Sequence, residues 1–188
     1  FDPIRVSDRL WIVPSWHAQP DPAAINITLD PGMAFGTGSH PTTRLCLEWL
    51  DHEIRGGETV IDYGCGSGIL ALTASRLGAA RVTGTDIDPH ALDAARYNAE
   101  RNGATLELMH SRETIDHQAD IVVANILANP LTVLAPLLCS LTRRGGRIAL
   151  SGILSAQTGM VRDAYRPAFE LEVAGERDGW VLLTGIRL

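Results

Sequence analysis

The chain contains no lysine: all 16 of its basic side chains are arginine. A GC-rich genome is the ordinary explanation, yet the absence excludes every mechanism that runs through a lysine amine, including Schiff-base catalysis and the Walker phosphate loop. Cysteine is nearly as sparse. Cys46, Cys65 and Cys139 are odd in number, far apart and never in C-x-x-C spacing, which argues against a disulfide framework and a zinc knuckle. The six histidines form no H-E-x-x-H pair, so no metal site is expected. No apolar run reaches the roughly 18 to 20 residues that span a bilayer, and the first residues lack the basic-then-apolar pattern of a signal peptide. The expectation is a soluble, cytoplasmic protein with no membrane partner. Cations are also outnumbered: a net charge of −6 speaks against general nucleic-acid affinity, which rests on clustered Lys and Arg, and suits a basic partner better.

What is present fits one α/β domain with a small appendage. At 188 residues and 45% hydrophobic content the chain can bury a sizeable core. Residues 1–30 hold two short apolar runs, 10–13 and 25–29, separated by Pro14, Pro20 and Pro22, and read as a strand appendage or linker. From Pro41 the pattern alternates. Strands are expected at 58–62, 81–86, 105–109, 120–124 and 146–151, and helices at 41–54, 68–78, 89–102, 130–141 and 155–166. Prolines after His40, Asp88 and Asn129 mark helix starts, with Asp88 and Asn129 as caps. Such alternation implies a parallel sheet flanked by helices. The tail, 168–174 and 180–187 around Gly175 to Gly179, reads instead as an antiparallel hairpin.

The most informative run is Asp62-Tyr63-Gly64-Cys65-Gly66-Ser67-Gly68, between an apolar strand and a helix. Glycines there let the backbone approach a ligand, and the helix start offers free N–H donors. The spacing is not that of a dinucleotide site, whose third glycine would fall at Ile69. Asp62 stands directly before the loop, where a carboxylate beside phosphates would be repelled. A cofactor bearing an ammonium group suits it better, and S-adenosylmethionine has one. Asp86 closes the next strand and is placed to accept from both ribose hydroxyls.

Asn125 ends the strand Ile121-Val122-Val123-Ala124. The segment partly resembles the Asn-Pro-Pro-aromatic motif of amine and amide N-methyltransferases, in which the Asn side chain holds the acceptor nitrogen. Ile126, Leu127 and Ala128 stand where that motif has its prolines and aromatic. A stacked planar acceptor is therefore disfavoured and a flexible aliphatic amine is expected. Upstream, Gly32, Gly36 and Gly38 lie within seven residues beside Phe35 and His40, the makings of a flap that closes over a ligand.

Taken together, the flap segment 30–43, the loop 62–68, Gly84-Thr85-Asp86-Ile87-Asp88-Pro89, Ala124-Asn125-Ile126-Leu127 and Ser151-Gly152-Ile153-Leu154 are similar to the bacterial class I methyltransferases that act on the eleventh large-subunit ribosomal protein. That resemblance covers essentially the whole sequence. It implies a mostly parallel seven-stranded sheet with a C-terminal antiparallel hairpin and helices on both faces, with residues 31–188 as the methyltransferase domain. It also implies S-adenosylmethionine as cofactor and, as substrate, a ribosomal protein methylated on lysine ε-amines and its N-terminal α-amine. Thr43, Gly64, Asp86 and Asn125 are then cofactor contacts beside Asp62, Gly66 and Gly68, Phe35 and Gly36 belong to the flap, and Asn125 is the catalytic residue. The family carries a further small N-terminal α/β domain for substrate capture, which this sequence is expected to lack. A monomer is expected. Alternatives are a cofactor-binding module inactive without that domain, or a related lysine methyltransferase acting on an electron-transfer flavoprotein. A nucleic-acid adenine methyltransferase is disfavoured by the charge and by the missing aromatic at 128. His40 is a candidate base, and Glu113 follows the third strand with no recognisable adenine pattern.

Overall fold

The computed structural model describes residues 1–32 and 38–188. Phe35 and Gly36, expected in the flap, lie outside the described residues.

Three short strands come first: β1 (Ile4–Ser7), β2 (Leu10–Val13) and β3 (Ile25–Thr28). β1 has too few apolar residues to stand out in the sequence and pairs antiparallel with β2, which pairs in parallel with β3. Asn102 covers the outer edge of β3 by bonding both the N–H and the carbonyl of Thr28, at 2.8 and 2.9 Å. A free edge is thus closed by one side-chain amide.

The larger sheet is built from β4 (Thr59–Tyr63), β5 (Arg81–Asp86), β6 (Glu107–His110), β7 (Ala119–Asn125), β8 (Thr142–Leu154), β9 (Glu172–Arg177) and β10 (Trp180–Ile186). Its order is β6-β5-β4-β7-β8-β10-β9, with β10 antiparallel to both its neighbours and all other pairings parallel. This is the seven-stranded sheet with a terminal hairpin that the sequence led us to expect. Its central strands read as unbroken apolar runs because both faces are covered. Val60, Ile121 and Val123 pack toward α1 (Pro41–Glu53) and α2 (Ile69–Arg76), whereas Ile61, Val122 and Ala124 pack toward α4 (Ala128–Val133), α5 (Ala135–Leu141) and α6 (Thr158–Tyr165). α3 (Pro89–Arg101) lies over the glycine loop, and Leu10, Ile12, Ile27 and Leu29 join the α1–α2 core.

Several boundaries differ from expectation. The helix expected over 130–141 is two helices. Leu134 separates them, because Pro136 lacks the N–H needed to continue the first helix and its ring crowds the carbonyl four residues earlier. The first of them starts at Ala128 behind Leu127, so Asn129 lies inside it and is not the cap. His40 and Asp88 do cap α1 and α3, each accepting the N–H two residues on. β8 starts at Thr142, well before 146, and a 3-10 turn over Ser155–Gln157 precedes α6. The hairpin turn is only Asp178-Gly179, between β9 and β10.

Candidate active site

The strand order reverses between β4 and β7, since β5 and β6 extend the sheet to one side and β8 to the other. The loops leaving β4 and β7 therefore diverge and open a crevice at the carboxyl ends of the strands. A cleft of about 790 Å³ occupies that place, within the range of small-molecule sites. Gly64, Gly66, Asp86 and Asn125 all line it.

On the β4–β5 side the backbone makes the site. Gly64, Gly66 and Gly68 have φ of 79°, 55° and 84°, a conformation that residues with a Cβ rarely adopt. Gly64 has a second constraint, because a Cβ there would approach Ile126 Cγ2 to 2.7 Å. Asp86 ends β5, its Oδ2 accepting the Gly66 N–H and its Oδ1 the Asp88 N–H, both at 2.9 Å. Each oxygen keeps a lone pair for a ligand hydroxyl. Asp62 is different. It is 1% exposed and sits behind the loop, with Oδ2 accepting from Ala71 N at 3.1 Å and Oδ1 bonded to nothing among the described residues. Burial pushes its pKa up to about 7, with the nearby Asp86 charge adding to the rise and the Ala71 bond opposing it.

The acceptor side is assembled from distant segments. Asn125 ends β7 beside Ser151 of β8, and its Nδ2 donates to Thr43 Oγ1 at 3.2 Å. Ser151 Oγ donates to the Thr42 carbonyl at 3.0 Å, which ties the same helix turn to the next strand. Gly152, at φ 90°, lets Ile126 cross over it, since a Cβ would overlap the Ile126 carbonyl. Leu127, Pro130, Leu134 and Trp180 supply an apolar wall, and the His40 ring meets Trp180 edge-on at 5.4 Å between centroids. His40 Nδ1 is engaged with the Thr42 N–H and hydroxyl, as the cap of α1 requires.

Thr43, Asp62 and Gly68 lie behind the cleft surface, and Thr43 is fully buried. Glu113 borders an adjoining cavity of about 600 Å³ and accepts from His110 N at 2.8 Å. Tyr63, Ile87, Ser111 and Trp180 line the cleft although sequence reasoning passed over them. Ile87 carried a signal, a large apolar residue between two acids that proves to be 76% exposed. Trp180 carried none, because only the antiparallel return of β10 brings it there. Among the described residues no group of three or more His, Cys, Asp or Glu side chains comes together to hold a metal.

The family model for ribosomal protein L11 methyltransferase (PrmA) matches residues 1–187. The chain belongs to this family. A ribosomal protein L11 methyltransferase of Dechloromonas aromatica (strain RCB) is 61% identical over 187 residues, which is 100% of this chain and 63% of that protein. Another, of Azotobacter vinelandii (strain DJ / ATCC BAA-1303), is 58% identical over 190 residues, 100% of this chain and 65% of that protein. The chain thus spans a little under two thirds of the length of these relatives. A crystal structure of ribosomal protein L11 methylase from Lactobacillus delbrueckii subsp. bulgaricus superposes with a TM-score of 0.89 at 34% identity, covering 100% of this chain and 99% of that one. The fold is that of the class I methyltransferases, a family that implies S-adenosylmethionine as methyl donor. The residues of the cleft fit that group. Asp86 has acceptors to spare and the glycines open the backbone, while behind the loop the buried Asp62 Oδ1 has no hydrogen-bond partner among the described residues. No helix among the described residues is long and apolar enough to cross a membrane.

Proposed function

We propose that this chain is the catalytic domain of an S-adenosylmethionine-dependent protein N-methyltransferase that modifies lysine ε-amino and N-terminal α-amino groups of ribosomal protein L11 in the cytoplasm. Residues 31–188 form that domain and the β1–β3 sheet is an appendage packed on it. One observation carries the reading: Asn125 faces, across a single cleft, the glycines and carboxylate suited to a nucleoside cofactor, with the apolar wall of Leu127, Pro130, Leu134 and Trp180 beside it.

When bound, the cofactor supplies an electrophilic methyl group on a cationic sulfur. Asp86 holds the ribose, and Gly64 and Gly66 admit the chain of the cofactor to the backbone. Asp62 acts from behind the loop, as the buried carboxylate that favours the cofactor's ammonium. Asn125 accepts an N–H of the incoming amine and aims its lone pair. A free lysine amine titrates near 10.4, and desolvation by Leu127, Pro130, Leu134 and Trp180 shifts it toward the neutral, nucleophilic form. Positioning then supplies most of the rate, and no dedicated base is required.

The test is mass spectrometry of ribosomal protein L11 after incubation with the chain and labelled cofactor. Because the chain has no lysine, every methyl-lysine found belongs to the substrate. Calorimetric binding of NAD without binding of S-adenosylmethionine would refute the reading. A second reading has support from the relatives' greater length: the chain binds cofactor but methylates only when joined to the remaining third. Methylation of intact L11 at the rate of a full-length relative would exclude it.

A further inference from the structure

An amine at the end of a flexible side chain offers few contacts, so a protein substrate is recognised by surface beyond the reacting atoms. On the Asn125 side of the cleft the rim is apolar and bare. Ile126 lies across Gly152, and the next residue, Leu127, lines the cleft while remaining 64% exposed. Leu154 stands on the same face of β8 as Gly152, because side chains alternate along a strand, and is 43% exposed. It pairs directly with Trp180 across β8 and β10, so Leu127, Trp180 and Leu154 edge one end of the opening. We propose that this rim, with the acidic tip of the β9–β10 hairpin beside it, docks an extended basic segment of the protein substrate and presents its amine to Asn125; the docking role rests on the methyltransferase reading above.

The rim is held in place before any partner arrives. Leu154 N–H donates to Gln157 Oε1 at 2.9 Å, Ser155 N–H to the Gly179 carbonyl at 3.0 Å, and Ser155 Oγ to Glu176 Oε1 at 3.0 Å. Exposed leucines on a fixed backbone lose little freedom when they are covered. A single exposed apolar residue is ordinary, whereas two that flank a tryptophan at the mouth of a cleft make a patch. Charge complementarity names the occupant. The Ser155 bond holds Glu176 next to the rim, Asp178 is exposed in the hairpin turn, and among the described residues neither forms an ion pair. Arg177, the base between them, is engaged by Glu48 Oε1 at 2.8 Å. The hairpin tip is therefore negative, as is the chain as a whole at −6. It attracts a segment rich in Lys and Arg, and it repels a second copy of itself.

The test is methyl transfer to intact ribosomal protein L11 by the wild type and by two variants outside the cleft wall: Leu154→Ser, and the double variant Glu176→Gln with Asp178→Asn. Asparagine tolerates the φ of 52° at position 178. The KM for L11 should rise about 5-fold in each variant, with kcat and the affinity for S-adenosylmethionine unchanged. The deficit of the double variant should vanish as salt rises from about 50 mM to about 500 mM, whereas that of Leu154→Ser should persist. Calorimetric titration of L11 into each protein reads docking without turnover and should show the same losses. KM and L11 affinity equal to those of the wild type in both variants would overturn the proposal. So would a wild-type dimer that dissociates in Leu154→Ser, since the rim would then belong to a second copy of the chain. A wild type that binds L11 but no S-adenosylmethionine would defeat the methyltransferase reading instead, and the calorimetric comparison would still decide whether this rim docks the partner.

Discussion

On the Asp86 side of the cleft, the groups that meet a ligand are fixed by bonds between near neighbours in sequence. Ala71 reaches back 9 residues to Asp62, and Gly66 bonds Asp86 20 residues ahead. On the Asn125 side the corresponding bonds cross 82 residues to Thr43 and, for Ser151 and Thr42, 109. One βαβ unit suffices to make the first half. The second exists only after β7, β8 and the start of α1 have met, so its precision depends on the whole sheet. The two halves should therefore respond differently to substitution.

The largest effect is expected at Gly152. Its φ of 90° and the overlap of any Cβ with the Ile126 carbonyl mean that Gly152→Ala must move the acceptor loop, at a cost of about 3 kcal/mol from strain and overpacking together. Denaturant unfolding reads that loss, and an unchanged midpoint would break the idea that the acceptor side hangs on a long-range fit. Next come Asp86→Ala and Asn125→Ala as a pair. Removing the carboxylate should weaken cofactor affinity about 100-fold, the scale of hydrogen bonds to a charged group. Removing the amide should lower turnover far more than affinity. Equal loss of affinity in both would erase the division between the halves.

Asp62 gives a smaller effect, visible only against pH. Its folded pKa, about 7, lies above the ordinary value of 3.8, so the fold favours the protonated form. The stability this group contributes is complete below about pH 4 and is lost as pH rises through 7. Asp62→Asn, neutral at every pH, should gain melting temperature relative to the unliganded wild type between pH 4 and pH 8. A gap that stays flat would mean that Asp62 is compensated in some other way. The smallest effect is expected for His40→Asn. Asparagine caps a helix well, so stability should stay within about 0.5 kcal/mol and the pH–rate profile should keep its shape. Loss of one limb of that profile would make His40 a base.

The division also governs what could be read in advance. Asp62, the alternating glycines and Asp86 were legible because local backbone demands leave a local trace: left-handed turns call for glycine, and a strand tip beside the loop calls for an acceptor. Asn125 is legible from its place at a strand tip, but its bond to Thr43 is not, since no periodicity links positions 43 and 125. Pro136 was in plain view and split a helix that had been expected whole. β1 was missed because Ile4 and Val6 are too few apolar residues to announce a strand.

By itself, then, the sequence determined the chemistry on offer and the local frames that carry it. It ruled out lysine mechanisms, set the glycine–acid spacing, and alternated helix and strand firmly enough to imply the sheet. Tertiary structure alone decided that Trp180 meets His40, that Ile126 passes between Gly64 and Gly152, and that the first turn of α1 grips the tips of β7 and β8. The reason is physical. Local conformation follows from steric and hydrogen-bonding limits acting within a few residues, whereas contacts across a hundred residues depend on strand order and burial, which no short stretch of chain records.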